Sequence, residues 1–177
     1  YFLKVEDNFK EVSVPSSYTA GFIDYNLNTA TVNFGRDYKK FSYELTFEDL
    51  DYDYTEIDSP TSRNEPNINI VYYYKILPKA SGLVEYTFGQ INYKNAKDND
   101  AIYNEFLTGV KGEFSPHISG TVKAGYKERD NKTKEDRHQI VTYTDISYSL
   151  SKKTTFSLSY TRSTEEASYK TEDYKDK

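Results

Sequence analysis

The sequence predicts an all-β protein whose strands form an antiparallel up-and-down meander. Three observations predict this class: apolar and polar residues alternate over strand-length segments, short turns recur at a nearly constant spacing, and the 177 residues include 19 Tyr and 10 Phe. Aromatic residues favour strands and are scarce in disordered chains. The chain is therefore expected to fold, although 29% of its residues are charged. Its length is that of a single domain.

Four short turns recur along the chain, with Lys39, Pro78, Pro116 and Lys152 at their centres and spacings of 39, 38 and 36 residues. Longer polar segments separate them, and these are Glu56–Pro66, Asn95–Asp100 and Arg129–Arg137. They carry the Asp, Asn, Ser and Pro residues that end strands. A fixed period of this size indicates a repeated supersecondary unit, which here is a hairpin.

About eight sequentially joined strands are predicted, near 28–37, 41–54, 66–77, 80–94, 102–114, 117–129, 138–149 and 153–164. Four hairpins thus occupy residues 28–169. The N-terminal segment, 1–27, is predicted to be a partial strand or a loop, and 170–177 a charged C-terminal tail. Sequential hairpins of this kind produce an up-and-down meander.

Each predicted strand has one apolar and one polar face, because successive strand side chains point to opposite sides. After the first turn, for example, Phe41, Leu45 and Phe47 alternate with Glu44 and Glu48. No predicted helix remains to cover the apolar face. The sheet must close around that face, pack on another sheet, or turn it toward lipid.

Three features favour a transmembrane β-barrel, or a large segment of one. The strands run about 10–13 residues, near the 9–11 that span a bilayer. Aromatic residues lie at both ends of the apolar face, with Tyr38 and Phe41 near the turns and Tyr86 and Tyr126 farther away. Short turns at one edge and long loops at the other match periplasmic and extracellular ends. A soluble barrel or sandwich with Tyr-rich strands is the alternative.

The polar face is predicted to line a lumen and carries both signs of charge. Its predicted lumen-lining residues are Glu44, Glu48, Lys75, Glu85, Glu105, Lys111, Glu113, Lys123, Lys127 and Asp145. They are either a polar surface that tunes selectivity or cross-strand ion pairs that hold register. For any single residue the second interpretation is favoured.

The composition excludes several kinds of chemistry. There is no Cys, so thiolate metal sites and thiol nucleophiles are absent, and a net charge of -5 argues against a nucleic-acid partner. His117 and His138 are predicted at opposite sheet edges, so they cannot share a metal. The acidic run from Glu48 to Asp58 lacks EF-hand spacing and is interpreted as a solvated strand end. Leu50, Tyr52 and Tyr54 shift the apolar phase there, which predicts a bulge or an exit from the membrane. No enzymatic role, cofactor or metal is predicted.

Three segments carry a family resemblance. Phe106–Arg129 (FLTGVKGEFSPHISGTVKAGYKER), Ser149–Tyr169 (SLSKKTTFSLSYTRSTEEASY) and Ile70–Tyr93 resemble hairpins of the outer-membrane β-barrel porin family often called "beta-barrel porin 2". The resemblance covers roughly residues 28–169 and implies an outer-membrane pore, with polysaccharide export in some members. Family domains are about twice as long, and many outer-membrane barrels end in a terminal aromatic that this charged C-terminus lacks. The chain is therefore expected to be part of a larger barrel.

The sequence thus predicts an outer-membrane β-barrel pore or export channel of a Gram-negative bacterium, with polysaccharide as a candidate cargo. The expected partners are outer-membrane lipid and either a periplasmic export partner or additional barrel strands. Two alternatives remain open: a barrel whose long polar loops form a binding surface, and a soluble Tyr-rich binding domain. No signal peptide is recognised at Tyr1, so the chain is expected to be cytosolic, already processed, or cut from a longer one.

Overall fold

The computed structural model describes residues 1–15, 22–55, 62–95, 97–132, 137–151 and 153–163. Over these residues it forms nine strands: β1 (Phe2–Pro15), β2 (Phe22–Asp37), β3 (Phe41–Tyr54), β4 (Arg63–Leu77), β5 (Ala80–Tyr93), β6 (Ala101–Ser115), β7 (Ile118–Asn131), β8 (Arg137–Ser151) and β9 (Thr154–Arg162). A single 3-10 turn, Lys97–Asn99, lies between β5 and β6. Within the described ranges, no helix has the length and apolar character needed to cross a membrane.

The nine strands form one sheet in sequence order, and every neighbouring pair is antiparallel. The predicted all-β class and up-and-down meander are therefore confirmed. Among the described residues, β1 pairs only with β2 and β9 only with β8. These two strands are the edges of the sheet, and closure of one edge on the other is not observed.

The N-terminal segment contributes a complete strand, so the described sheet has nine strands where about eight were predicted. β1 pairs with β2 without interruption, from Phe2 opposite Gly35 to Pro15 opposite Phe22. The charged residues Asp7 and Glu11 interrupt the apolar alternation of this segment, which is why its strand signal was weak. The segment is nevertheless a strand because its backbone pairs with β2 along its whole length.

The long-loop boundaries also differ from the prediction. Residues 63–66, predicted as loop, begin β4, and β7 continues to Asn131. Pro66 pairs with Asp49 of β3, whereas the pairing of β4 with β5 skips from Asn64 to Asn67. A proline has no N–H to donate, so it interrupts one ladder and leaves the other intact. Parts of the predicted loops (56–61, 133–136), Lys152 and the predicted tail at 170–177 lie outside the described residues.

The sheet exposes its apolar face and buries its charged face, which is the opposite of the arrangement in a soluble barrel. Apolar side chains on one face are exposed, including Ile140 (66% exposed), Leu158 (63%) and Ile70 (47%). The other face buries charged residues such as Glu105, which is 8% exposed. Residues from β1 to β8 on this second face line a common cavity, so the sheet is curled around it. We call this face concave and the apolar one convex.

The convex face has two zones. The apolar band, nearer the short turns, includes Val32, Phe34, Phe47, Ile68, Ile70, Tyr72, Ile76, Val84, Tyr86, Phe106, Val110, Val122, Tyr126, Ile140, Tyr148, Phe156 and Leu158. The polar extension, nearer the long loops, consists of Asp24, Asn26, Asn28, Asp49, Asp51, Asp53, Asn64, Asn92, Glu128 and Asp130. Ile102 is an apolar exception within the extension. The strands therefore continue well past the band before they reach the long loops.

Candidate functional site

The middle of the concave face is filled by a paired polar network. Lys123 Nζ lies 2.7 Å from Glu85 Oε2, and Asn69 donates a hydrogen bond to the same carboxylate at 2.9 Å. Lys127 Nζ lies 3.8 Å from Glu105 Oε2. The four charged side chains are between 10% and 22% exposed. Because both carboxylates have cationic partners, their burial costs much less than burial of single charges would.

Two glycines give this network its room. Gly109 of β6 lies opposite Lys123 of β7 and Leu83 of β5, so Lys123 reaches β5 over a position without a side chain. Gly125 lies between Lys123 and Lys127 on the concave face. The Tyr143 hydroxyl of β8 crosses β7 there and donates to Glu105 at 3.3 Å. Each contact thus spans an intervening strand, which is possible only where that strand has no bulky residue.

All ten predicted lumen-lining residues are in phase with the concave face, and they are Glu44, Glu48, Lys75, Glu85, Glu105, Lys111, Glu113, Lys123, Lys127 and Asp145. Most have short contacts there. Asn67 donates to Glu48 at 3.1 Å, Ser159 donates to Asp145 at 3.4 Å, and Lys111 Nζ lies 5.5 Å from the ring centre of Tyr73.

The other contacts lie at the short-turn edge. Glu113 is the last residue before a register shift in the pairing of β6 with β7, and it forms an exposed ion pair with Lys79 at 2.5 Å. Lys75 lies 3.9 Å from the carboxylate of Asp37, also at that edge. The predicted set is therefore divided between the interior and a solvent-exposed rim. Pairing within the set favours a structural role for its individual members.

A cavity of about 460 Å³ occupies the loop end of the concave face, inside the polar extension. We call it the loop-end cavity. Its lining includes the tyrosines Tyr25, Tyr52, Tyr54, Tyr103 and Tyr143, the cations Arg63, Lys127, Arg129 and Arg137, and the carboxylate of Glu65. Strands β1 to β8 all contribute to it. Sites of this volume are typical of small-molecule binding.

Arg63 makes three described contacts in this cavity. Its Nε donates to Glu65 Oε1 at 2.5 Å, its Nη1 donates to the Tyr54 hydroxyl at 3.2 Å, and its guanidinium lies 4.3 Å from the ring centre of Tyr52. Burial alone would lower the pKa of Arg63, but the charge of Glu65 and the hydrogen bonds to Glu65 and Tyr54 raise it. Burial, with the charge of Glu65 adding to it, raises the pKa of Tyr52. Arg63 is therefore a fixed positive charge.

Arg129 of β7 lies directly opposite Arg137 of β8, and both line the cavity. Burial lowers the pKa of Arg129, and the positive charge of Arg137 lowers it further, whereas Tyr93 raises it through its charge and a side-chain hydrogen bond. Burial also raises the pKa of Tyr93, against the opposing charges of Arg63 and Arg129. Positive charge is therefore concentrated at this part of the cavity.

Of the described residues that line this cavity, Lys127 was predicted to line a lumen, and the others were not predicted as part of a site. Arg63, Arg129 and Arg137 fell within predicted loops or at their ends, and Tyr52 and Tyr54 were interpreted as a bulge or a membrane exit. That bulge prediction is wrong, because the pairing of β3 with β2 and β4 continues through these residues without a shift. Their spacing contained the signal: Tyr52 is in phase with Glu48, and Arg129 with Lys127.

The two histidines lie at opposite ends of the strands, His117 at the short-turn end and His138 at the long-loop end. His117 contacts the carbonyl oxygen of Ser149 through Nδ1 at 2.9 Å, in the short turn after β6. His138 stacks on Tyr126, with ring centres 5.8 Å apart, near the start of β8. Within the described part of the chain, no three His, Cys, Asp or Glu residues come together in a way that could hold a metal ion.

Comparisons with known proteins returned no matching family model, no matching curated protein and no matching solved structure. Any functional assignment therefore depends on the sidedness of the sheet, its filled interior and the loop-end cavity.

Proposed function

We propose that this chain is a membrane β-barrel, or a large part of one, that serves as a pore or export channel in the outer membrane of a Gram-negative bacterium. The observation that carries the proposal is the sidedness of the sheet. In water, a sheet that exposes Ile70, Ile140 and Leu158 while burying Glu105 would lose the main driving force for folding. In a bilayer the same arrangement is favourable, since the apolar face contacts lipid and the charged groups contact one another.

The height of the apolar band supports a bilayer as its surroundings. On β4 the band extends from Ile68 to Ile76, which corresponds to roughly 27 Å along the strand at about 3.4 Å per residue. A strand tilted by about 40° would then cover a height of roughly 20 Å, near the 25 Å apolar band of outer-membrane barrels. Aromatic rings lie at the border of the band nearest the short turns, where Tyr38 and Phe41 stack with ring centres 4.4 Å apart.

The filled interior bears on how such a channel would conduct. Ion pairs and tyrosine side chains occupy the middle of the concave face, as expected of barrels with about eight strands. A conducting lumen therefore needs more strands than the nine described. An open edge within a bilayer would also leave backbone groups unsatisfied. We propose that β1 and β9 join additional strands, and that lipid and a periplasmic export partner complete the assembly.

Polysaccharide is the candidate cargo, and this part of the proposal rests on the resemblance of three hairpins to the outer-membrane porin family. A second candidate function, a barrel whose loop end binds a ligand, is favoured by the loop-end cavity. It requires no conducting lumen. The third, a soluble Tyr-rich binding domain, would require the exposed apolar band to be covered by other protein.

The first test is a heat-shift gel on the chain refolded in detergent micelles, with a detergent-free sample beside it. A compact band that unfolds only on boiling and appears only with detergent would support the membrane assignment and would show that the nine strands close without additional ones. A well-folded species without detergent would overturn the membrane assignment and favour the soluble domain. If neither sample folds, the closed single-chain barrel is excluded and additional strands are required.

The second test separates a pore from a binding barrel. The refolded chain is inserted into a planar bilayer and its conductance is recorded with and without deletion of residues 133–136, which belong to a long loop predicted from the sequence. Stable conductance that survives the deletion supports a pore. A folded barrel with no conductance, alone or with its additional strands, contradicts the pore and leaves the binding barrel.

A further inference from the structure

The short-turn end of the sheet is positively charged in an acidic protein. Within three residues of the four turn centres lie six described cations, and they are Arg36, Lys39, Lys40, Lys75, Lys79 and Lys153. We call these six residues the basic rim. Among the described residues, the carboxylates equally close to a turn centre are two, Asp37 and Glu113. The whole chain carries a net charge of -5, so the rim does not follow from its general composition.

Charge is therefore distributed unevenly along the strands. The polar extension, at the opposite end, includes the six carboxylates Asp24, Asp49, Asp51, Asp53, Glu128 and Asp130. One of them, Asp51, lies 2.8 Å from Lys94 Nζ. The apolar band lies between the basic rim and the polar extension. Its two borders thus differ in the sign of the charge beside them.

Ion pairing at the short-turn end leaves much of the positive charge of the rim in place. Lys75 lies 3.9 Å from Asp37 and Lys79 lies 2.5 Å from Glu113, which engages both nearby carboxylates. In the part of the chain that the structure describes, Lys39, Lys40 and Lys153 form no ion pair within 4 Å. All three of these lysines are exposed. The rim consequently presents positive charge to whatever surrounds it.

The basic rim directly adjoins the apolar band. The guanidinium of Arg36 lies 4.8 Å from the ring centre of Tyr38, which stacks on Phe41. Leu77, which is 54% exposed, precedes Lys79 by two residues. From the band outward, the surface therefore passes from apolar side chains through aromatic rings to cations. A phospholipid leaflet has the matching order, from acyl chains through the interface to the phosphate groups.

We propose that the basic rim binds the phosphate groups of an anionic phospholipid leaflet while the apolar band contacts its acyl chains. Lysine and arginine bind phosphate through charge-assisted hydrogen bonds. Each such residue near an anionic lipid surface adds to the attraction. This inference rests on the proposed function, because it requires the band to contact lipid. It adds the class of lipid and the end of the sheet that binds it.

The test is flotation of the full chain with two kinds of vesicle, in about 0.1 M salt. One kind is phosphatidylcholine alone, and the other contains about one third phosphatidylglycerol, which is anionic. The measured quantity is the ratio of the partition constant in the anionic vesicles to that in the neutral vesicles. The double variant Lys39→Gln with Lys40→Gln should lower this ratio at least about fivefold relative to the wild type.

A matched control removes the same charge from the other end of the sheet. Lys10 lies five residues beyond Val5, which pairs with Val32 of the band. That separation is roughly 17 Å along the strand, which exceeds the screening length of about 10 Å in this salt. Lys97 lies in the 3-10 turn after β5. The double variant Lys10→Gln with Lys97→Gln should therefore leave the ratio nearly unchanged.

The comparison separates a lipid-binding rim from a structural one. Loss of a purely structural role would change partitioning into both vesicles alike and leave the ratio as in the wild type. The same result is expected if the rim binds a protein partner. Either outcome would overturn the inference, as would an equal fall of the ratio in the two double variants, because they have the same net charge.

Two further outcomes complete the test. In about 1 M salt the effect of the rim variant should disappear, since charges are then screened within about 3 Å. An effect that persists would not be electrostatic and would contradict the inference. A wild-type chain that floats with neither vesicle would contradict the membrane assignment, and this inference with it. Flotation with both vesicles and no effect of the rim variant would overturn this inference alone.

Discussion

The ammonium group of Lys123 lies 2.7 Å from the carboxylate of Glu85, although the two residues belong to β7 and β5 and the whole of β6 runs between them. The contact passes over Gly109, the β6 residue opposite Lys123. Glu85 also accepts a hydrogen bond from Asn69 of β4. Glu85 is thus held from β4 on one side and from β7 on the other, across the concave face.

This pair should contribute more to stability than an exposed pair of the same chemistry. A double-mutant cycle with Lys123→Met and Glu85→Gln should give a coupling free energy of about 1–3 kcal/mol, because both groups are mostly buried. The matched cycle at the exposed pair Lys4–Glu6 should give less than about 1 kcal/mol. Unfolding by denaturant measures both. Equal couplings would show that the interior is as hydrated as the surface.

The glycine that lets Tyr143 reach Glu105 should tolerate no side chain. A Cβ on Gly125 would overlap the backbone of Phe106 and Leu107, so we expect Gly125→Ala to lower the free energy of unfolding by about 1–3 kcal/mol. The control is Gly82→Ala on the convex face, where the nearest atom is the Cδ1 of the flexible Ile76 side chain at 3.0 Å. Its cost should stay below about 0.5 kcal/mol. The unfolding midpoint of each variant measures these costs. A Gly125→Ala variant as stable as the wild type would contradict the close approach of β6 and β7.

Adjacent residues of β7 can test which face meets lipid. Val122 lies on the convex face and Thr121 on the concave face opposite Asp145. Val122→Arg should cost about 2–4 kcal/mol in a bilayer, because it places a charge in the apolar band. Thr121→Arg should be mild, since Asp145 lies beside it. Unfolding in lipid vesicles measures both variants, and equal costs would contradict the assignment of faces.

The hydrogen bonds that Asp100 accepts in the loop between β5 and β6 predict that the stability of the protein depends on pH. The Asp100 carboxylate accepts hydrogen bonds from Lys132 Nζ at 2.6 Å and from the backbone N–H of Tyr93 at 2.9 Å. The hydrogen bond from Lys132 lowers the pKa of Asp100, against an opposing effect of burial. A lowered pKa stabilises the folded state above the unfolded value of about 3.9, and this stabilisation is lost as the pH falls through the folded value.

Asp100→Asn should therefore be less stable than the wild type near neutral pH, and the difference should vanish at pH values well below about 4. Unfolding midpoints of both proteins across this range provide the measurement. A difference that stays constant with pH would mean that the charge of Asp100 is not what holds the β5–β6 loop to Lys132.

Much of the fold could be predicted because strand side chains alternate with period two. The phase of Phe41, Leu45 and Phe47 against Glu44 and Glu48 is local information, and the structure keeps it. Strand β1 was harder to predict from the sequence, because Asp7 and Glu11 interrupt its apolar alternation and its position depends on pairing with β2. The ten residues of the predicted lumen set share the concave phase because of the same period. The sequence did not reveal the register shift after Glu113, which depends on the pairing of β6 with β7.

By itself, the sequence determined the all-β meander and which residues share a face of each strand. Only the tertiary structure decided which face is concave, because that depends on the accumulated curl of nine strands and not on the period of any one of them. It also decided the partners of Lys123 and Tyr143, which reach over glycines to strands that are not their neighbours. The loop-end cavity has the same origin. Arg63, Arg129 and Arg137 are far apart along the chain and converge because the curled sheet brings β4, β7 and β8 around one space.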